Sequence, residues 1–253
     1  MERADGRSPF LLACDHAGAH IPARLNSLAL PAGDLQRHIA WDIGAAAVAV
    51  QLAARLDAFL IRQNYSRLVI DCNRPLASAE SIVPVSDGTR IPGNASVTAA
   101  DRLARQREVF HPYHDRLRAE LDARRRLDRP TILIALHSFT PRLNGCQRPW
   151  HIGLLFNRDR RLADGLHGQL ATDPDLVIGM NEPYAVDDES DYTIPEHAER
   201  RGLPHVGIEL RQDLIAGQAG QNEWAERLAS ALARAATAGI GSPTPRPGRA
   251  FGH

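Results

Sequence analysis

The sequence predicts an α/β fold: a single-domain helix/sheet/helix sandwich around a mixed, largely parallel sheet. Short apolar runs of strand length, rich in β-branched residues, alternate with segments whose apolar residues recur at helical spacing. The runs are apolar throughout instead of alternating with polar residues, as expected when helices cover both faces of a sheet. No linker, composition break or internal repeat divides the 253 residues, a length that one large domain accommodates.

The first strand is predicted at 10–14, FLLAC, and stops abruptly at DHAGAHIP. A helix over 34–56 follows, with Asp34 as its N-cap. FLIR (59–62) and RLVIDC (67–72) read as the next two strands. A long charged helix is predicted over 98–127, capped by Thr98. TILIALH (131–137), IGLLF (152–156), LVIGM (176–180) and HVGIEL (205–210) read as strands, and a helix over 221–238 closes the domain. The domain is therefore placed at 1–240. Residues 241–253, rich in Pro, Gly and Arg, read as a flexible tail.

Thirty basic residues balance thirty acidic ones, so no broad field draws the chain to nucleic acid or an anionic membrane. Cys14, Cys72 and Cys146 are too few and too scattered for a disulfide framework or a CxxC zinc knuckle, and read as cytosolic thiols. The N-terminus lacks an apolar signal core, and IGAAAVAVQLAA is too short to span a bilayer. A soluble cytoplasmic protein acting on a small molecule is expected, with no nucleic-acid or membrane partner. No Gly-rich phosphate loop with the right flanks points to a nucleotide.

In open α/β sheets, ligands collect beyond the carboxyl ends of the strands. Here those ends carry DHAGAH, NRP, HSFTP and Glu209 followed by RQDL. His16 and His137 each follow an apolar run directly, and two imidazoles plus a carboxylate is the composition of a catalytic zinc site. With no HExxH signature, the same residues also suit strand-capping hydrogen bonds. Arg74 offers a planar carboxylate two parallel donors and Asn73 adds a neutral one, although an arginine there can also bond strand-end carbonyls. Arg67 reads as structural. Glu209, at the end of an apolar strand, is costly unless used or paired with Arg211. His111 and His114 read as solvated or capping residues, and the acidic loop 181–197 is a candidate cover for the site.

Taken in order, DHAGAHIP, HIAWDIGA, YSRLVIDCNRP, LHSFTP, NEPY and GIELRQDL resemble the motifs of the N-formylglutamate amidohydrolase family, from about Leu12 to the final helix. The resemblance implies a phosphorylase/hydrolase-like fold, related to zinc carboxypeptidases and to the succinylglutamate desuccinylase/aspartoacylase group. It implies one zinc ion per chain and hydrolysis of an N-acyl acidic amino acid such as N-formylglutamate, formyl being the leading acyl group. His16 then resembles the first metal ligand and His137 the last. The relatives' HxxE pair is absent, since Ala19 occupies that position; Asp42 restores a two-histidine, one-acid set, with His20 as the rival. Asp42 is also four residues from His38 and could pair with it on a helix. Asn73 and Arg74 match the pair that grips the substrate carboxylate, Arg211 joins them as a substrate-binding residue, and Glu209 matches the general base. A related deacylase or carboxypeptidase-like peptidase, or a non-catalytic metal- or metabolite-binding regulator, are the alternatives.

Overall fold

A computed structural model describes residues 6–237, so the proposed tail at 241–253 lies outside the described residues. Six strands form the main sheet: β1 (Phe10–Cys14), β2 (Phe59–Arg62), β3 (Ile132–Phe139), β4 (Ile152–Leu155), β5 (Ile178–Met180) and β6 (His205–Arg211). Their spatial order is β2-β1-β3-β6-β4-β5. Every neighbouring pair is parallel except β6 with β4. The helices are α1 (Ala45–Leu56), α2 (Ala99–Arg105), α3 (His111–Arg126), α4 (Arg161–Leu170) and α5 (Gln218–Thr237). Among the described residues, no helix is long and apolar enough to cross a membrane.

Both sheet faces are buried, which accounts for the uninterrupted apolar runs. On one face, Leu12, Ile134, Leu136 and Ile208 pack beneath α1, α4 and α5 through Leu52, Leu166 and Leu228. On the other, Leu11, Ala13 and Leu133 meet Tyr113, Leu117 and Leu121 of α3. The site grows from this second face, because Asp15, His137 and Glu209 continue its register.

The structure corrects three elements of the reading. RLVIDC is not a strand: residues 67–72 form an irregular, largely buried segment. Its apolar residues are used, since Val69, Ile70 and Cys72 pack on the α3 side. Its backbone is satisfied by loop carbonyls, those of Ala40, Ser66 and Ser81, and by buried side chains instead of a neighbouring strand. Asn94 Nδ2 donates to the carbonyls of Leu68 (2.8 Å) and Val83 (2.9 Å), while Arg105 Nη1 donates to Val69 O (2.9 Å) and to Asn94 Oδ1 (2.7 Å).

The helix expected over 34–56 begins only at Ala45. Asp34–Gln36 is a single 3-10 turn, so Asp34 does not cap α1. Gly44 precedes the helix at φ +81°, and a Cβ there would lie 2.4 Å from Ile215 O, so only glycine lets the chain turn at this point. α4 was not anticipated, although Leu162, Ala163, Leu166 and Leu170 follow a helical period. The long charged segment is helical as expected. Thr98 and Asp101 form a capping box, and a wider π turn at Gln106–Phe110 joins α2 to α3.

Asn94→Ala takes the donor from the carbonyls of Leu68 and Val83 and one acceptor from Arg105, and should lower unfolding stability by about 1–3 kcal/mol. Urea denaturation checks this, and an unchanged midpoint would mean that the segment is held in some other way.

Candidate active site

Parallel β1, β3 and β6 run side by side, so their carboxyl ends bring distant residues together. Glu209 lies opposite His137 in the β6/β3 register, and His16 follows β1. Asp42 arrives from the turn before α1, where its backbone N–H bonds His16 O at 3.0 Å. His16, Asp42, His137 and Glu209 are all buried.

Asp42 Oδ2 lies 2.9 Å from His137 Nδ1 and 3.3 Å from His16 Nδ1. One ligand atom from each of these three residues falls within 4.8 Å of the others. Behind each imidazole stands a second carboxylate. His16 Nε2 is 2.7 Å from Asp71 Oδ1, and His137 Nε2 is 3.3 Å from Asp15 Oδ2. Tyr113 and Thr193 hydroxyls donate to Asp15 Oδ1 at 2.6 and 2.9 Å. Arg67 meets Asp71 at 2.6 Å and Asp42 at 3.6 Å.

This arrangement divides the carboxylates electrostatically. Burial pushes Asp15 upward, but His137 outweighs it and holds the group at about 2. Burial likewise opposes ionisation of Asp42 and Asp71; the imidazoles beside Asp42, and Arg67 with His16 beside Asp71, hold both well below the usual carboxylate range. Burial lowers His16 and His137, yet the surrounding carboxylates raise both above the ordinary histidine value. Glu209 goes the other way, pushed up by burial to about 7, and its Oε2 is buried without a hydrogen-bond partner.

Four buried carboxylates, Asp15, Asp42, Asp71 and Glu209, thus gather around two imidazoles, with the guanidiniums of Arg67 and Arg74 on the cavity wall. Two imidazole nitrogens and one carboxylate oxygen converge, and each imidazole is backed by a carboxylate that would fix its orientation. This donor set fits a zinc-type cation. The adjoining cavity, about 240 Å³, is smaller than the roughly 300–1,000 Å³ of common ligand pockets, which suits a small molecule.

Asp42, not His20, joins His16 and His137: His20 is exposed and packs its ring on Tyr65. His38 faces Asp87 at 3.2 Å, so the alternative pairing with Asp42 does not form. Asn73 and Arg74 both line the cavity. Asn73 is committed to the covering loop, donating to Asp191 Oδ1 at 3.0 Å and accepting from the backbone of Tyr192 and Thr193. Arg74 is braced by Glu80 and by the carbonyl of Ser190.

Arg211 is not brought into the cavity. It bonds Asp213 at 2.8 Å and Pro149 O at 3.1 Å, because the chain turns away at the end of β6. The alternative Glu209–Arg211 ion pair is therefore not made. His114, read as solvated or capping, is buried: Nε2 donates to Cys72 O at 2.8 Å, so Nδ1 accepts from His197 Nε2 at 2.9 Å. The acidic loop does cover the site, lining the cavity with Tyr184, Val186, Asp191 and Ile194. Asp15 and Asp71 were missed as imidazole partners, although Asp15 adjoins His16 in the sequence and Asp71 lies two residues before Asn73.

The N-formylglutamate amidohydrolase family model matches residues 8–216, from the start of β1 to just beyond β6, and so spans every residue of this site. The chain belongs to that family. As an N-formylglutamate amidohydrolase family member it falls among hydrolases of amide bonds. It is 38% identical to a gene product of Agrobacterium tumefaciens over 93% of each chain, with a TM-score of 0.90. It shares its fold with an N-formylglutamate amidohydrolase from Ralstonia eutropha, at 18% identity and a TM-score of 0.65, covering 92% of this chain and 94% of the other. No curated protein matches it in sequence.

If the carboxylates behind the imidazoles orient metal ligands, Asp15→Asn and Asp71→Asn should each weaken zinc binding by about 10–100-fold. His20→Ala should not. Chelator competition measures all three, and equal affinities would detach Asp15 and Asp71 from the centre.

Proposed function

We propose that this protein is a zinc-dependent amidohydrolase that releases a short acyl group from an N-acylated acidic amino acid, with N-formylglutamate as the reference substrate. The observation that carries the reading is the unpartnered, buried Oε2 of Glu209 beside the His16–Asp42–His137 group. Family membership adds the reaction class.

His16, His137 and Asp42 would hold one zinc ion, which when bound supplies Lewis acidity and a nucleophile at neutral pH. Glu209 handles the proton. Its Oε2 accepts a proton from the attacking water and returns it to the departing nitrogen. A value of about 7 suits both halves of that transfer.

Arg74 faces the substrate's carboxylate with a guanidinium already braced by Glu80 and Ser190, so little conformational freedom is lost on binding. Arg67 contributes a second positive charge to the same wall, although it is shared with Asp71 and Asp42. The covering loop lines the cavity with Tyr184 and the buried Val186, which limits the access of water. A cavity of about 240 Å³ favours an acyl amino acid over a peptide.

Glu209→Gln keeps the shape of the side chain and removes its basicity. It should cut kcat by about 100- to 10,000-fold with zinc content unchanged. Metal analysis and steady-state kinetics on one preparation check this; near-normal kcat at full zinc would leave the reaction without its base. Arg74→Lys keeps the charge but loses the bidentate fork, and should raise KM for acidic substrates. An unchanged KM would remove Arg74 from recognition.

A further inference from the structure

The cavity changes character along its length. Its charged end is reached from His16 through Asp71 to Asn73 and Arg74. Its other end runs back along the strands. Ala135 and Gly207 lie two residues before His137 and Glu209, on the same sheet face, and pair with each other in register. Leu155 pairs with Gly207 from β4, and Val186 and Ile194 close over them from the covering loop. Ala135, Leu155, Val186 and Ile194 form an apolar cluster of their own, apart from the larger cores on the two sheet faces.

Resting on the amidohydrolase reading above, we infer that the acyl group taken by this site is a short aliphatic one, larger than formyl, held against the wall of Ala135, Leu155, Val186, Ile194 and Gly207. The amide lies beside Glu209, between the two ends. With the amino acid's carboxylate at Arg74, the acyl group points toward the apolar wall. A formyl group has no carbon beyond the carbonyl and would leave that wall facing water. A second carboxylate, as in a succinyl group, would meet five apolar residues and no cation there. An acetyl to butyryl chain satisfies the wall. Room is limited: a Cβ added at Gly207 would lie 3.0 Å from Leu155 Cβ and 3.2 Å from Ile194 Cδ1.

The test uses the zinc-loaded protein with N-formyl-, N-acetyl-, N-propionyl-, N-butyryl- and N-succinylglutamate. kcat/KM should rise by up to about fourfold per buried methylene from formyl toward butyryl, with succinyl below butyryl. Calorimetric Kd values on Glu209→Gln should follow the same order without turnover. Gly207→Ala, which adds a methyl to the wall, should lower the butyryl-to-formyl ratio of kcat/KM. Val186→Ala, which removes two carbons from the covering loop, should shift the optimum beyond butyryl to N-valerylglutamate, added to the panel for this variant, and it serves if Gly207→Ala does not fold. A series that is flat, or led by formyl or succinyl, overturns the aliphatic assignment and leaves the amidohydrolase standing. No turnover of any member overturns both.

Discussion

The carboxylate of Asp42 is the point on which the site depends. Its Oδ2 is shared by the Nδ1 atoms of His16 and His137 and lies 3.3 Å from the backbone N–H of Ser138, while Arg67 stands near its other oxygen. A buried carboxylate is tolerated only with such a complete set of partners. Reaching that position requires the chain to leave the 3-10 turn at Asp34–Gln36, cross the end of the sheet and then enter α1. Gly44 makes the last step possible, since it packs against Ile215 O where no side chain fits.

Around that point the fold supplies two kinds of surface. Parallel β1, β3 and β6 end together and present polar groups, of which the two imidazoles are held by carboxylates: Asp71 for His16, and Asp15, itself bonded by Tyr113 and Thr193, for His137. One layer deeper, the same strands present Ala135 and Gly207, and antiparallel β4 adds Leu155. A charged grip and an apolar wall thus sit on either side of one unpartnered carboxylate oxygen, Glu209 Oε2. Burial beside that wall brings Glu209 to a value near neutrality.

Where the sequence signal was local, it was readable. The runs at 10–14 and 59–62 match β1 and β2 residue for residue, and 205–210 falls one residue short of β6, because strands covered on both faces leave little ambiguity in composition. RLVIDC misled for a physical reason. Its apolar residues pack against α3, but its backbone partners include Asn94, Arg105 and the carbonyls of Ala40 and Ser81, which no local pattern reveals. The helical look of 34–44 failed similarly, because His38 and Asp42 are drawn off to Asp87 and to the two imidazoles. Residues at strand ends, His16, His137 and Glu209, could be singled out one by one. Which carboxylate faces which ring nitrogen depends on how three loops meet, and so Asp15 and Asp71 went unassigned as partners while Arg211 was placed where the chain has already turned away.

His16, Asp42 and His137 bring two imidazole nitrogens and a carboxylate oxygen to one point, where a cation would bind. Anomalous diffraction at the zinc edge, on crystals grown from zinc-loaded protein, tests this most directly. It should show one strong peak per chain, about 2.0–2.2 Å from the Nδ1 atoms of His16 and His137 and from an oxygen of Asp42. A peak elsewhere, or fully loaded protein with Asp42 still bridging the two imidazoles and no metal between them, would contradict it.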